Sequence, residues 1–150
     1  MSDASRVLLS AIVVAVVALT MAARRVLREP EDAPARLVGQ LHLSQWAALW
    51  LTASGALSIG LAISSQFTAG ASLEVGLGLV WIFIAGLTLR APLPHSLHLQ
   101  AVACGVHAMV AFAHRPGWLS PALAPDWLWI GHALLDLYVA TICSLCARAR

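Results

Sequence analysis

His132 and Asp136 lie four residues apart in the apolar stretch 127–147, separated only by Ala133, Leu134 and Leu135. On a helix this spacing puts both side chains on one face, one turn apart. An aspartate at the centre of a membrane-spanning helix costs roughly 2.5–3.5 kcal/mol, so it must face protein, water or a partner. The preceding apolar stretch, 97–113, carries a second polar set: Gln100, His107 and His114 recur every seven residues and stand nearly above one another on a helix. His107 lies eleven residues from Ser96 and Asp136 lies ten from Asp126, on helices that run in opposite directions. At about 1.5 Å per residue the two side chains reach one depth, with His132 a turn nearer the outer end.

His107, His132 and Asp136 are therefore the candidate site, with Gln100, His114 and Cys143 around it. As a metal site the three supply two imidazoles and a carboxylate and leave a position open for water, as catalytic zinc sites do. As a haem b site, His107 and His132 are the axial pair. As a proton relay the same three act together, and inward of Asp136 only Cys143, Ser144, Cys104 and Gln100 continue the path. The plain structural alternative is a buried hydrogen bond from His107 or His132 to Asp136 that fixes helix register. Such bonds average only about 0.6 kcal/mol in membranes, and two His with one Asp at one depth exceed what register needs.

Other motifs carry less. Cys143-x-x-Cys146 has no second cysteine pair, Cys104 alone cannot supply one, and all three read as small apolar helix residues. Ser54, in Ala-Ser-Gly-Ala, invites a serine nucleophile paired with His132, but no further part of an intramembrane serine protease pattern accompanies it. The spacing His132-x-x-x-Asp136 resembles one helix of the ceramidase-like intramembrane hydrolases. The likeness covers these five residues; the other His, Ser and Asp motifs of that superfamily are absent from the earlier spans.

The elements that must position this chemistry are helices in a membrane. The 150 residues are 60% hydrophobic and 11% charged, with a mean hydropathy of +0.82, outside the soluble globular range. Apolar stretches at 7–23, 43–67, 69–89, 97–113 and 127–147 each reach the ~17–25 residues that span a hydrocarbon core. This predicts an all-α integral membrane bundle of five transmembrane helices forming a single domain. Too little chain remains for an extramembrane domain, there is no Gly-rich phosphate loop, and all nine basic residues are Arg, which excludes nucleotide-binding modules and nucleic-acid surfaces.

Seven Arg fall on one side of the five spans (24, 25, 28, 36, 90, 148 and 150) and two on the other (6 and 115). The positive-inside bias then predicts an uncleaved first span, the N-terminus outside and the C-terminus cytoplasmic. Segment 24–40, with four Arg, three acids and two Pro, reads as a solvated cytoplasmic connection. Thr68 to Ser72 read as an external turn. Arg90, Pro92 and Pro94 end the third span, and Ser96 and Asp126 are expected to cap the fourth and fifth. Glu74, His95 and His98 are expected at the interfaces, as are Trp46 and Trp50 on one side and Trp118, Trp127 and Trp129 on the other. Thr52, Ala56, Gly60 and Ser64 form a small-residue stripe, and Gly76, Gly78 and Gly86 a second small face, suited to packing a helix of this chain or of another subunit.

The expected function is a subunit or accessory of a membrane complex, or a transport component, in a bacterial-type cytoplasmic (inner) membrane. The alternatives are an intramembrane zinc hydrolase acting on a lipid or other apolar substrate and a haem b electron-transfer subunit.

Overall fold

A computed structural model describes residues 3–65, 70–93, 95–114, 119 and 124–148. They form α1 (Asp3–Arg28), α2 (Pro34–Ser64), α3 (Ala71–Arg90), α4 (His95–His114) and α5 (Asp126–Arg148). All five are long and apolar enough to cross a membrane.

Proline and glycine set the ends. Glu29 precedes Pro30, whose ring disfavours helical backbone before it, and α1 stops at Arg28. Pro34 then opens α2 at a position where its missing N–H costs nothing. The connection expected over 24–40 is thus only 29–33. Arg24, Arg25 and Arg28 finish α1, while Arg36 is buried in α2 and donates from Nη1 to the Glu29 carbonyl at 3.1 Å. Gly70, at φ 92°, takes the left-handed backbone needed to enter α3. Of the external turn, Thr68 lies outside the described residues and Ser72 is already helical. Ala91 is extended ahead of Pro92, ending α3; Pro94 lies outside the described residues, as do Arg115, Trp118 and Arg150. Ser96 and Asp126 are not caps. Both sit inside their helices, since the chain becomes helical at His95 and at Asp126 itself.

α2 packs most extensively on α3, and α4 on α5, with α4 also touching α2 and α3. α1 lies against α2 and α5, where the Tyr138 hydroxyl donates to the Val16 carbonyl at 3.1 Å and also meets Thr20. The α2–α3 crossing is at Gly55 and Gly78. A Cβ on Gly55 would stand 2.4 Å from the Gly78 carbonyl oxygen, and one on Gly78 would stand 2.5 Å from that of Gly55.

The small-residue stripe on α2 therefore lies elsewhere than expected. Ala56, Gly60 and Ser64 are exposed, Thr52 half-buried, and a Cβ on Gly60, Gly76 or Gly86 would meet nothing within 4 Å. The packing face is Ser54, Gly55, Ser58 and Ala62. Two positions along a helix are about 200° around it, so both sets satisfy the same spacing on opposite sides.

The exterior is apolar and the interior holds the polar groups. Val14, Phe83, Val102 and Met109 are each more than 60% exposed, whereas Asp136 and Gln100 are fully buried and Glu74 nearly so. Those polar groups divide the apolar core. Leu43, Leu51, Leu97, Val139 and Cys143 pack toward one end; Ala108, Ala111, Trp129 and Ala133 pack toward the other.

Candidate functional site

The three α4 residues spaced by seven each anchor a polar layer that draws in side chains from neighbouring helices. In the middle layer His107 Nδ1 is 2.7 Å from Asp136 Oδ2, so one proton lies between imidazole and carboxylate. The other carboxylate oxygen, Oδ1, accepts from the Trp50 indole N–H at 2.7 Å. His132 Nε2 is 2.8 Å from Ser54 Oγ. The Ser54 hydroxyl donates its only hydrogen to the Trp50 carbonyl at 2.9 Å, so His132 must be the donor, with its proton on Nε2 and a lone pair on Nδ1. His107, His132 and Asp136 each offer one ligand atom, and these lie within 4.8 Å of one another. The expected cluster is brought together by α4 and α5, and α2 holds it from behind.

Toward the α2–α3 end, His114 Nδ1 donates to the Val110 carbonyl at 2.8 Å, and Nε2 meets Glu74 Oε1 at 2.6 Å, again with one proton between them. Glu74 was expected at an interface; it is 1% exposed because His114 receives it from the facing helix. Toward the α1–α2 end, Gln100 Nε2 donates to the Ser44 carbonyl (2.8 Å), Ser44 Oγ (3.0 Å) and Thr88 Oγ1 (3.2 Å). Ser44 Oγ also bonds Ser96 Oγ at 2.6 Å, and Gln40 Nε2 donates to the Cys146 carbonyl at 2.9 Å.

Each histidine in these layers packs on a tryptophan. Trp50 lies over His132 with ring centroids 4.8 Å apart, Trp81 meets His107 edge-on at 4.6 Å, and Trp129 stacks on His114 at 4.1 Å and 12°. Trp50 and Trp129 thus leave the interfaces assigned to them and turn inward, while Trp46 and Trp127 stay exposed. His95 and His98 are exposed at the start of α4.

The geometry also sorts the chemistries. The His107 and His132 rings touch directly, edge to face with centroids 5.0 Å apart. Ser54 does meet His132, but as acceptor, the reverse of an activated nucleophile. Cys104, Cys143 and Cys146 are free thiols packed in the apolar core. Trp50, Trp81 and Glu74 were missed as site residues, while Ser54 was paired with His132 only as a nucleophile. Trp50 and Ser54 are four apart on α2, a spacing that marks a shared face, but nothing in the sequence turns that face toward α5.

A separate apolar cavity of about 300 Å³ lies between α1, α2 and α5, lined by residues that include Ala15, Leu19, Leu49, Trp50, Leu135 and Val139. Trp50 is its common wall with the middle layer. Comparison with protein-family models, with characterised proteins and with solved structures gives no match.

Proposed function

We propose that this chain is a multi-pass protein of the cytoplasmic membrane, N-terminus outside and C-terminus inside, acting as the ion-handling part of a transport system. The observation that carries this is the stack of buried polar layers along α4. Seven residues rise about 10.5 Å, so the stack runs about 21 Å through a hydrocarbon core of about 30 Å. Two layers each hold a proton between a histidine and a carboxylate, groups able to take it up and give it away. Small side chains, Ala103, Cys104, Ala108 and Ala111, line α4 between the layers.

Register alone is a poor reason for these acids. Asp136 accepts two hydrogen bonds, each worth about 0.6 kcal/mol on average in a membrane, against roughly 2.5–3.5 kcal/mol for placing the residue there. The exposed Ala56 and Gly60 on α2, with Gly76 and Gly86 on α3, supply faces for a neighbouring subunit. The test is proton uptake into proteoliposomes driven by a potassium diffusion potential and read with an internal pH dye. Wild type should acidify the lumen, Asp136→Asn should not, and Glu74→Gln should do so more slowly. Equal rates in wild type and Asp136→Asn would remove the reading.

The apolar cavity favours a second reading, an intramembrane hydrolase. Its volume reaches the lower end of ligand pockets, about 300–1,000 Å³, and it abuts the middle layer through Trp50, as an enzyme cleaving a lipid would need. Turnover of a lipid ester by purified protein, lost in Asp136→Asn, would select it.

A further inference from the structure

We infer that His107, His132 and Asp136 form a binding site for a divalent first-row transition metal ion, with zinc the ion best matched to it. The inference rests on the middle layer being the working site of the proposed function and names the ion it takes.

The donor set suits such an ion. Two imidazoles and one carboxylate, all on α4 and α5, bring ligand atoms to within 4.8 Å of one another. Nitrogen donors select zinc, iron or nickel over magnesium and calcium, which take oxygen shells, and the lack of a thiolate argues against copper(I). Metal–donor bonds of about 2.0–2.1 Å at a tetrahedral centre set donors roughly 3.3 Å apart. His107 and Asp136, at 2.7 Å, open as the metal replaces the proton between them, and the His132 donor, within 4.8 Å of the other two, closes on it. A fourth position remains for water or an incoming ligand.

The donors are also held in place by groups behind them. Metal-binding histidines almost always donate their other N–H to a fixed acceptor, and metal-binding carboxylates are themselves hydrogen-bonded. Both features are built here from α2. Ser54 has its hydrogen committed to the Trp50 carbonyl and can only accept from His132 Nε2, which leaves the Nδ1 lone pair with no hydrogen-bond partner among the described residues. Trp50 Nε1 holds Asp136 Oδ1, which leaves Oδ2 to face His107. Trp81 packs its edge interaction against the His107 ring. A pair that served only to fix register would need neither the idle nitrogen of His132 nor a hydroxyl to set its tautomer.

The site is tested with zinc itself. Detergent-purified protein is stripped with chelator, titrated with zinc in a calorimeter, then desalted for metal mass spectrometry, with circular dichroism on every variant. Wild type should bind one equivalent. His132→Ala should bind at least ~100-fold more weakly, and Ser54→Ala, which keeps all three donors, about 10–100-fold more weakly, the usual loss for an outer-shell partner. If His132→Ala unfolds, Ser54→Ala still decides. A wild type that binds no zinc, or variants that bind it as tightly as wild type, would overturn the site. Zinc binding without proton or zinc flux in proteoliposomes would leave the site standing and remove the transport reading, whereas proton flux in a protein that binds no zinc would do the reverse.

Discussion

Replacing Gly55 by alanine should destabilise the bundle, because the added Cβ meets backbone that cannot rotate aside. It would stand 2.4 Å from the Gly78 carbonyl oxygen and 2.9 Å from Ile82 Cγ1, where ordinary contact begins at 3.4 Å. The helices must therefore part by about 1 Å at their crossing, since neither a rotamer change nor a turn of a flexible side chain relieves a clash with a carbonyl. Overpacking of this kind typically costs about 1–3 kcal/mol. The strain also reaches the site: Ser54 is the neighbouring residue, and α3 carries Trp81, which packs on His107. Gly60→Ala and Gly76→Ala are the matched controls, as nothing lies within 4 Å of a Cβ at either position. They should stay within about 0.5 kcal/mol of wild type, or gain from alanine's better helix propensity. Unfolding by SDS in mixed micelles, followed by ellipticity, measures all three. A Gly55→Ala protein as stable as Gly60→Ala would mean that α2 and α3 do not cross at Gly55 and Gly78.

The thiols of Cys104, Cys143 and Cys146 are fully buried, so maleimide should leave them unlabelled in folded protein and label them after SDS unfolding; prompt labelling in mild detergent would disprove the α4–α5 packing. His107→Leu alone leaves the Asp136 carboxylate buried with only Trp50 and should cost up to about 3–5 kcal/mol, whereas His107→Leu with Asp136→Leu should recover most of that loss or exceed wild-type stability. A double variant no more stable than the single one by SDS unfolding would show that the pair is not coupled. A reporter fused at the C-terminus should fluoresce as green fluorescent protein and be inactive as alkaline phosphatase; the opposite pattern would reverse the proposed orientation.

The five helices were legible because each needs a long apolar run, and the runs are interrupted by proline, glycine or arginine. The start of α2 was not, because the arginines of 24–40 suggested solvent, whereas Arg36 finds a carbonyl inside the turn it was assigned to. Depth also was legible: counting along two antiparallel helices placed His107 level with Asp136, and they meet. The same count would have matched His114, the last residue of α4, with Glu74 in the first turn of α3, had the charge of Glu74 not been assigned to an interface. Azimuth was not legible. With two small-residue stripes on opposite sides of α2, the sequence cannot say whether Trp50 and Ser54 look at α5 or at lipid, and the second sphere of the site depends on that angle.

That angle also decides whether a charge can stay inside the bundle. A charged side chain such as Asp at mid-depth carries a cost of roughly 2.5–3.5 kcal/mol on insertion scales. A desolvated cation over an aromatic face recovers about 2 kcal/mol or more, and Trp129 is stacked 4.1 Å from His114 in that arrangement. A neutral histidine holding two helices in register has little use for such a face, since leucine would pack as well. A histidine that takes up charge in the absence of water does have a use for it. Trp129, turned inward from α5, therefore weighs on the same side as the proton shared by His114 and Glu74: it stabilises the charged state at that layer.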